Sequence, residues 1–146
     1  MKPLLLLLPL IALVACSTPP SADETASIRR EVYLRYFAET KASDRFVYFV
    51  AESDDFIAAL KKASRLTRIE NSLFARYDES RDETIDVRSS QAGIKMAIFG
   101  VVVDGGSASA EFTYTATSIA AGGFKVRLIK RSGEWKIAEW KEDWVS

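Results

Sequence analysis

Residues 107–117 read SASAEFTYTAT, and their alternation decides the fold. Ala108, Ala110, Phe112, Tyr114 and Ala116 fall on one side, and Ser109, Glu111, Thr113, Thr115 and Thr117 on the other. A strict period of two, with one apolar and one polar side, is a strand with one face in a core and one in water. That is the pattern of an antiparallel sheet. Before it, Ile94 to Val103 reads as a strand closed by Asp104-Gly105-Gly106, which has turn chemistry. After it, Gly122-Gly123 is expected to turn the chain, and Phe124, Val126 and Leu128 alternate with Lys125 and Arg127.

A last hairpin follows. Lys130-Arg131-Ser132-Gly133 suits a type I turn with glycine after it, hence a three-residue loop. Counted back from that loop, Phe124 opposes Trp140, Val126 opposes Ala138, Leu128 opposes Lys136, Lys125 opposes Glu139 and Ile129 opposes Trp135. Aromatic and opposite-charge pairs across strands each contribute ~0.2–1 kcal/mol, and a two-residue loop would lose both kinds.

The first half reads as helices around one strand. Ser21 and Glu24 have the spacing of a capping box. Beyond them Ile28, Val32 and Tyr36, flanked by Tyr33 and Phe37, form a stripe wide enough to cover a sheet, with Leu34 on the opposite side. Residues 45–51, RFVYFVA, are apolar on both alternations and suit a strand buried on both faces. Ser53 caps a second helix from about Asp54 to Ser64, with Phe56, Leu60 and Ala63 expected inward. Residues 65–92 carry little pattern. Short strands are expected near 67–69 and 84–88, with a solvated loop at 78–83. Two helices and an antiparallel meander make an α+β domain over residues 24–146: an N-terminal helix on a curved, mainly antiparallel sheet, with a strand–helix unit before the meander.

The stretch AGGFKVRLIKRSGEWKI, residues 121–137, with Gly133-Glu134-Trp135-Lys136-Ile137 as G-x-W-x-[VI], resembles the C-terminal end of cystatin-like α+β rolls. The nuclear transport factor two-like superfamily is among them. The resemblance covers residues 94–146 and, more faintly, 45–64. It implies a roll, and it implies no single activity: the superfamily holds isomerases, cyclases, dehydratases and binding modules.

The start of the chain has a different character. Lys2 precedes an apolar stretch from Leu4 to Leu13, then small residues, then Cys16, the one cysteine of the chain. This is the layout of a secretory signal, and it is too short for a spanning helix of about 20 residues. Leu13-Val14-Ala15-Cys16 resembles the bacterial lipobox. The resemblance implies cleavage before Cys16 and acylation of its thiol and new amino end. Residues 1–15 are then a lipoprotein signal peptide and residues 16–23 a lipidated tether stiffened by Pro19-Pro20. A single fatty chain holds a protein only marginally, at ~0.8 kcal/mol per methylene, so two or three chains are needed for a lasting anchor. Ser17 follows the cysteine; aspartate there would resemble the inner-membrane retention signal of enteric bacteria, and its absence leans the location to the periplasmic side of the outer membrane.

Composition narrows the chemistry. Twenty basic and twenty acidic residues cancel, so no field steers the chain to nucleic acid. With no histidine in the chain, Ser-His-Asp and Cys-His sites are excluded. The acidic pairs lack calcium-loop spacing, and no metal or cofactor is expected. The resemblance implies that catalysis, if present, would pair a carboxylate with a tyrosine inside the cone. Asp44, Asp78 and Glu111 are the acid candidates, and Tyr33, Tyr36, Tyr48 and Tyr114 the tyrosines. The deciding geometry is whether a carboxylate and a tyrosine hydroxyl share one solvent-reachable cavity. Trp140 and Trp144 are candidate anchors for a partner or a small apolar ligand, because tryptophan at an exposed edge often carries binding. The expectation is therefore a membrane-anchored binding lipoprotein without catalytic residues. The alternative is a small-molecule isomerase or dehydratase.

Overall fold

The computed structural model describes residues 19–146. Cys16 and the signal region lie outside the described residues. The elements run α1 (Ala22–Glu39), β1 (Tyr48–Val50), α2 (Asp54–Ser64), β2 (Ile69–Asn71), β3 (Ala75–Asp78), β4 (Glu83–Asp86), β5 (Ala92–Asp104), β6 (Ser107–Thr117), β7 (Ala120–Arg131) and β8 (Glu134–Val145). The domain is α+β, with an eight-stranded, mostly antiparallel sheet in the order β2-β1-β5-β6-β7-β8; β4 joins at the start of β5 and pairs with β3. The sheet is open, with β2 and β8 as its outer strands, and is not closed around α1.

α1 starts where Ser21 Oγ accepts the Glu24 backbone N–H at 3.1 Å. The start at Ala22 places two residues of the assigned tether inside the helix. The Glu24 carboxylate does not complete the capping box; it takes Lys130 Nζ at 2.9 Å, tying the helix to the β7–β8 hairpin. The expected stripe is the one that packs: Ile28, Val32, Tyr33, Tyr36 and Phe37 are buried against the sheet. Leu34 is half-buried at the margin of the same core.

β1 pairs in parallel with β2 on one side and β5 on the other. Its doubly apolar pattern has a direct cause. Tyr48 and Val50 enter the main core, while Val47 and Phe49 form a second cluster with Ala75 of β3 on the other face. The strand–helix unit is thus a β1-α2-β2 crossover. α2 is capped by Ser53 Oγ, which accepts from Phe56 N at 3.2 Å, and buries Ile57 and Leu60. Phe56 is half-buried and Ala63 is exposed, so the inward face is rotated from the expected one.

Within 65–92, β2 and β4 correspond to the two short strands foreseen there, and residues 79–82 turn the chain from β3 into β4. β3 had no counterpart in the sequence reading. Asp86 holds this region together: Oδ2 accepts from Ser72 Oγ at 2.5 Å, and Oδ1 accepts the backbone N–H groups of Arg88 at 2.8 Å and Ser89 at 3.1 Å.

β6 alternates as read as far as Tyr114, with Phe112 fully buried opposite Phe124; the register then shifts between Thr115 and Thr117, leaving Ala116 unpaired. Gly122 and Gly123 do not turn the chain. They lie inside β7, and the turn is made by Ser118-Ile119. The last hairpin also differs from expectation. Its loop has two residues, Ser132 and Gly133, at φ 51° and 82°. Positive φ at both positions is the type I′ turn, whose twist matches that of paired strands. Leu128 therefore opposes Ile137, and Lys130 opposes Trp135. A bulge at Ala138 then shifts the register, so that Val126 opposes Trp140 and Arg127 opposes Glu139; a second bulge at Asp143 sets Gly123 opposite Trp144. The first bulge keeps Trp135, Ile137 and Trp140 on the core side, which a regular strand of this sequence would not do.

Candidate functional site

The space between α1 and the sheet is filled by aromatic side chains. Tyr36 meets Phe112 at 4.9 Å and Tyr114 at 5.3 Å between ring centroids, and Phe124 stacks on Trp140 at 4.8 Å. The Phe124–Trp140 contact expected from a direct pairing is thus made on the diagonal, since Trp140 pairs with Val126 and Phe124 with Glu142. Burial raises the Tyr36 hydroxyl well above its usual range.

One polar cluster interrupts this core. Arg29, at the end of the second turn of α1, donates through Nε to Glu52 Oε1 at 2.7 Å and through Nη2 to the same oxygen. Its Nη1 donates to the Ile98 carbonyl at 3.3 Å. Tyr33 Oη donates to Glu52 Oε1 at 3.2 Å. Burial first, and then the Glu52 charge, push the Tyr33 hydroxyl far above the usual tyrosine range. Glu52 was not among the sequence candidates. The available signal was an acid at the carboxyl end of a buried strand, just before a helix cap, where ligands of parallel sheets collect.

This cluster bears on the test posed for catalysis. Glu52 lines an open cleft of about 870 Å³ between the N-terminal halves of α1 and α2, together with Ser53 and Phe56. Tyr33 lines a separate cavity of about 110 Å³ beside Ser72 and Met96. Arg29 borders both and stands between them. The carboxylate and the hydroxyl touch, yet each lines a different one of these two cavities.

None of the other candidate acids is hydrogen-bonded to a candidate tyrosine, although Asp44 lies close enough to Tyr48 for its charge to help raise that hydroxyl after burial. Asp44 accepts the backbone N–H of Thr67 at 2.8 Å and that of Arg68 at 3.2 Å, and the Thr67 bonds hold its carboxyl below the usual range. Asp78 accepts from Ser80 within the β3–β4 turn. Glu111 is exposed on the face opposite α1, across from Lys125. No cluster of metal-ligating side chains occurs among the described residues.

The two candidate anchors part company. Trp140 is half-buried on the α1 side, stacked as above. Trp144 is 46 % exposed on the other face, its indole over Gly123. Val145 beside it is exposed, and so is Ile119, at 81 %, in the turn between β6 and β7. Gly122 pairs with Val145, and the Ser146 N–H donates to the Ala121 carbonyl, which brings these residues to one end of the sheet. That end is opposite the start of α1, which is tied to Lys130 at the β7–β8 hairpin.

No helix among the described residues is long and apolar enough to cross a membrane. Comparison of the chain with known protein families, with curated proteins and with solved structures finds no match.

Proposed function

We propose that this chain is an exported, lipid-anchored binding module: Cys16 carries the acyl chains, and the domain binds a peptide, a protein or a small apolar ligand in the periplasm. The reading places the anchor in the outer membrane. One observation carries it, the polarity of the domain along α1. The helix begins six residues after Cys16, at Ala22. A tether of that length reaches at most ~20 Å. Its 18 residues then span about 27 Å. The exposed apolar group of Ile119, Trp144 and Val145 stands at the far end, where it is held away from a lipid surface and open to a partner.

The placing of α1 across strands β5 to β8 also supports membership of the cystatin-like rolls, in a form whose sheet stays open. The aromatic filling between helix and sheet favours binding over chemistry. The isomerase or dehydratase reading has the Tyr33–Glu52 contact in its favour and the intervening Arg29 against it.

The test has two readouts. Mass spectrometry of the membrane fraction is expected to find a mature chain starting at Cys16 with two or three acyl groups. A start at residue 17 or beyond, without acyl groups, ends the anchor reading. Affinity capture from envelopes with wild type and Trp144→Ala is expected to lose partners only in the variant. Identical recovery removes Trp144 as an anchor.

A further inference from the structure

A second cleft, of about 260 Å³, opens at the far end of the sheet, where β1, β4, β5 and β6 meet. Its lining combines features that are unusual together. Phe46 is 53 % exposed although it directly precedes the buried Val47. Arg45 makes no hydrogen bond or ion pair among the described residues. The Arg68 guanidinium donates to the Asp44 carbonyl at 3.4 Å and lies close enough to the Asp44 carboxylate to lower its pKa; with the Gln91 amide turned over, the Gln91 oxygen also accepts from it at 3.1 Å. Glu83, the one acid of the lining, is already paired with Arg81 at 3.0 Å. Thr84 also lines this cleft; it is fully buried, and its Oγ1 has no hydrogen-bond partner.

We propose that this cleft binds a small monocarboxylate with a short apolar body. The charges of Arg45 and Arg68 attract the carboxylate, for which guanidinium groups are the best-matched donors. Phe46 and Ala116 take the apolar body. The volume lies just below the roughly 300–1,000 Å³ of drug-sized sites, which sets the size of the ligand. The inference stands apart from the anchor and from Trp144, and survives the failure of either.

Octanoate is the probe. The full chain carrying Cys16→Ser keeps acyl groups out of the measurement. Calorimetric titration is expected to show one saturable octanoate site, with acetate (the head alone) and octylamine (the tail with opposite charge) binding at least tenfold more weakly. Arg45→Gln and Arg68→Gln are each expected to weaken octanoate about tenfold with unchanged circular dichroism. The methyl resonances of Thr84, Ala92 and Ala116 are expected to shift on titration while that of Ala59, in the α1–α2 cleft, stays in place. Octylamine binding as well as octanoate, an arginine double variant binding like wild type, or shifts confined to Ala59 would each overturn the proposal.

Discussion

The indole of Trp144 occupies the space that a β-carbon at Gly123 would need, with Nε1 its nearest atom. A glycine in mid-strand is normally a weakness, and here it is the seat of the last tryptophan. Gly123→Ala is expected to push the indole outward at a cost of about 1 kcal/mol, as overpacking does. Tryptophan emission should move to longer wavelength and become easier to quench. With Trp144→Ala already present, the same glycine change should cost less than it does alone, because the two residues compete for one space.

The Arg29–Glu52 pair is mostly enclosed, with side-chain exposures of 24 % and 12 %. Removing one charge leaves the other without its partner. Glu52→Gln or Arg29→Met is expected to cost roughly 2 kcal/mol, below the 3–5 kcal/mol of a fully buried pair because water still reaches both groups. Tyr33→Phe, which removes a single hydrogen bond, should cost about 1 kcal/mol. Urea unfolding midpoints at neutral pH measure all three.

Asp86 should shape the acid limb of stability. The Ser72 hydroxyl first, then the backbone N–H groups of Arg88 and Ser89 and the Arg88 charge, lower its pKa to about 2. Its unfolded value is about 3.9. A depressed carboxyl stabilises the fold above the unfolded value and loses that contribution as the pH falls through the folded one. Stability is therefore expected to drop between about pH 4 and pH 2. Asp86→Asn should be less stable at neutral pH and show a shallower drop across this window, read from unfolding midpoints at each pH.

The β7–β8 turn offers a gain. Ser132 sits at φ 51° without a side chain suited to that region. Asparagine tolerates left-handed backbone and is preferred before glycine in type I′ turns. Ser132→Asn should raise stability by about 0.5 kcal/mol, and Gly133→Val, at φ 82°, should lower it by about 1–2 kcal/mol. Thermal midpoints moving in opposite directions confirm the turn type.

Where burial divides the residues of an element cleanly, the sequence could be read. The alternation of β6, the stripe of α1 and the doubly apolar β1 each record what covers them. The errors arose where one residue changes the count. Nothing in the string GEWKIAEWKEDWV, residues 133–145, marks Ala138 and Asp143 as bulges, because a bulge is fixed by the partner strand and by the aromatic packing beyond it. Gly122-Gly123 read as a turn because their small size speaks equally for a bend and for contact with a ring. The rings of Tyr114 and Trp144 were the reason. Glu52 shows in the sequence only as an acid after a strand, since its partners Arg29 and Tyr33 lie 23 and 19 residues away.

The irregularities of β8 have one more effect. Its outer rim faces no other strand, and two such rims could zip together between molecules. The extra residues at 138 and 143 cut that rim into pieces of no more than four regularly paired positions, 134–137, 139–142 and 144–145. A neighbouring copy would meet a broken ladder studded with Lys136, Glu139, Lys141 and Glu142, features that work against edge-to-edge pairing.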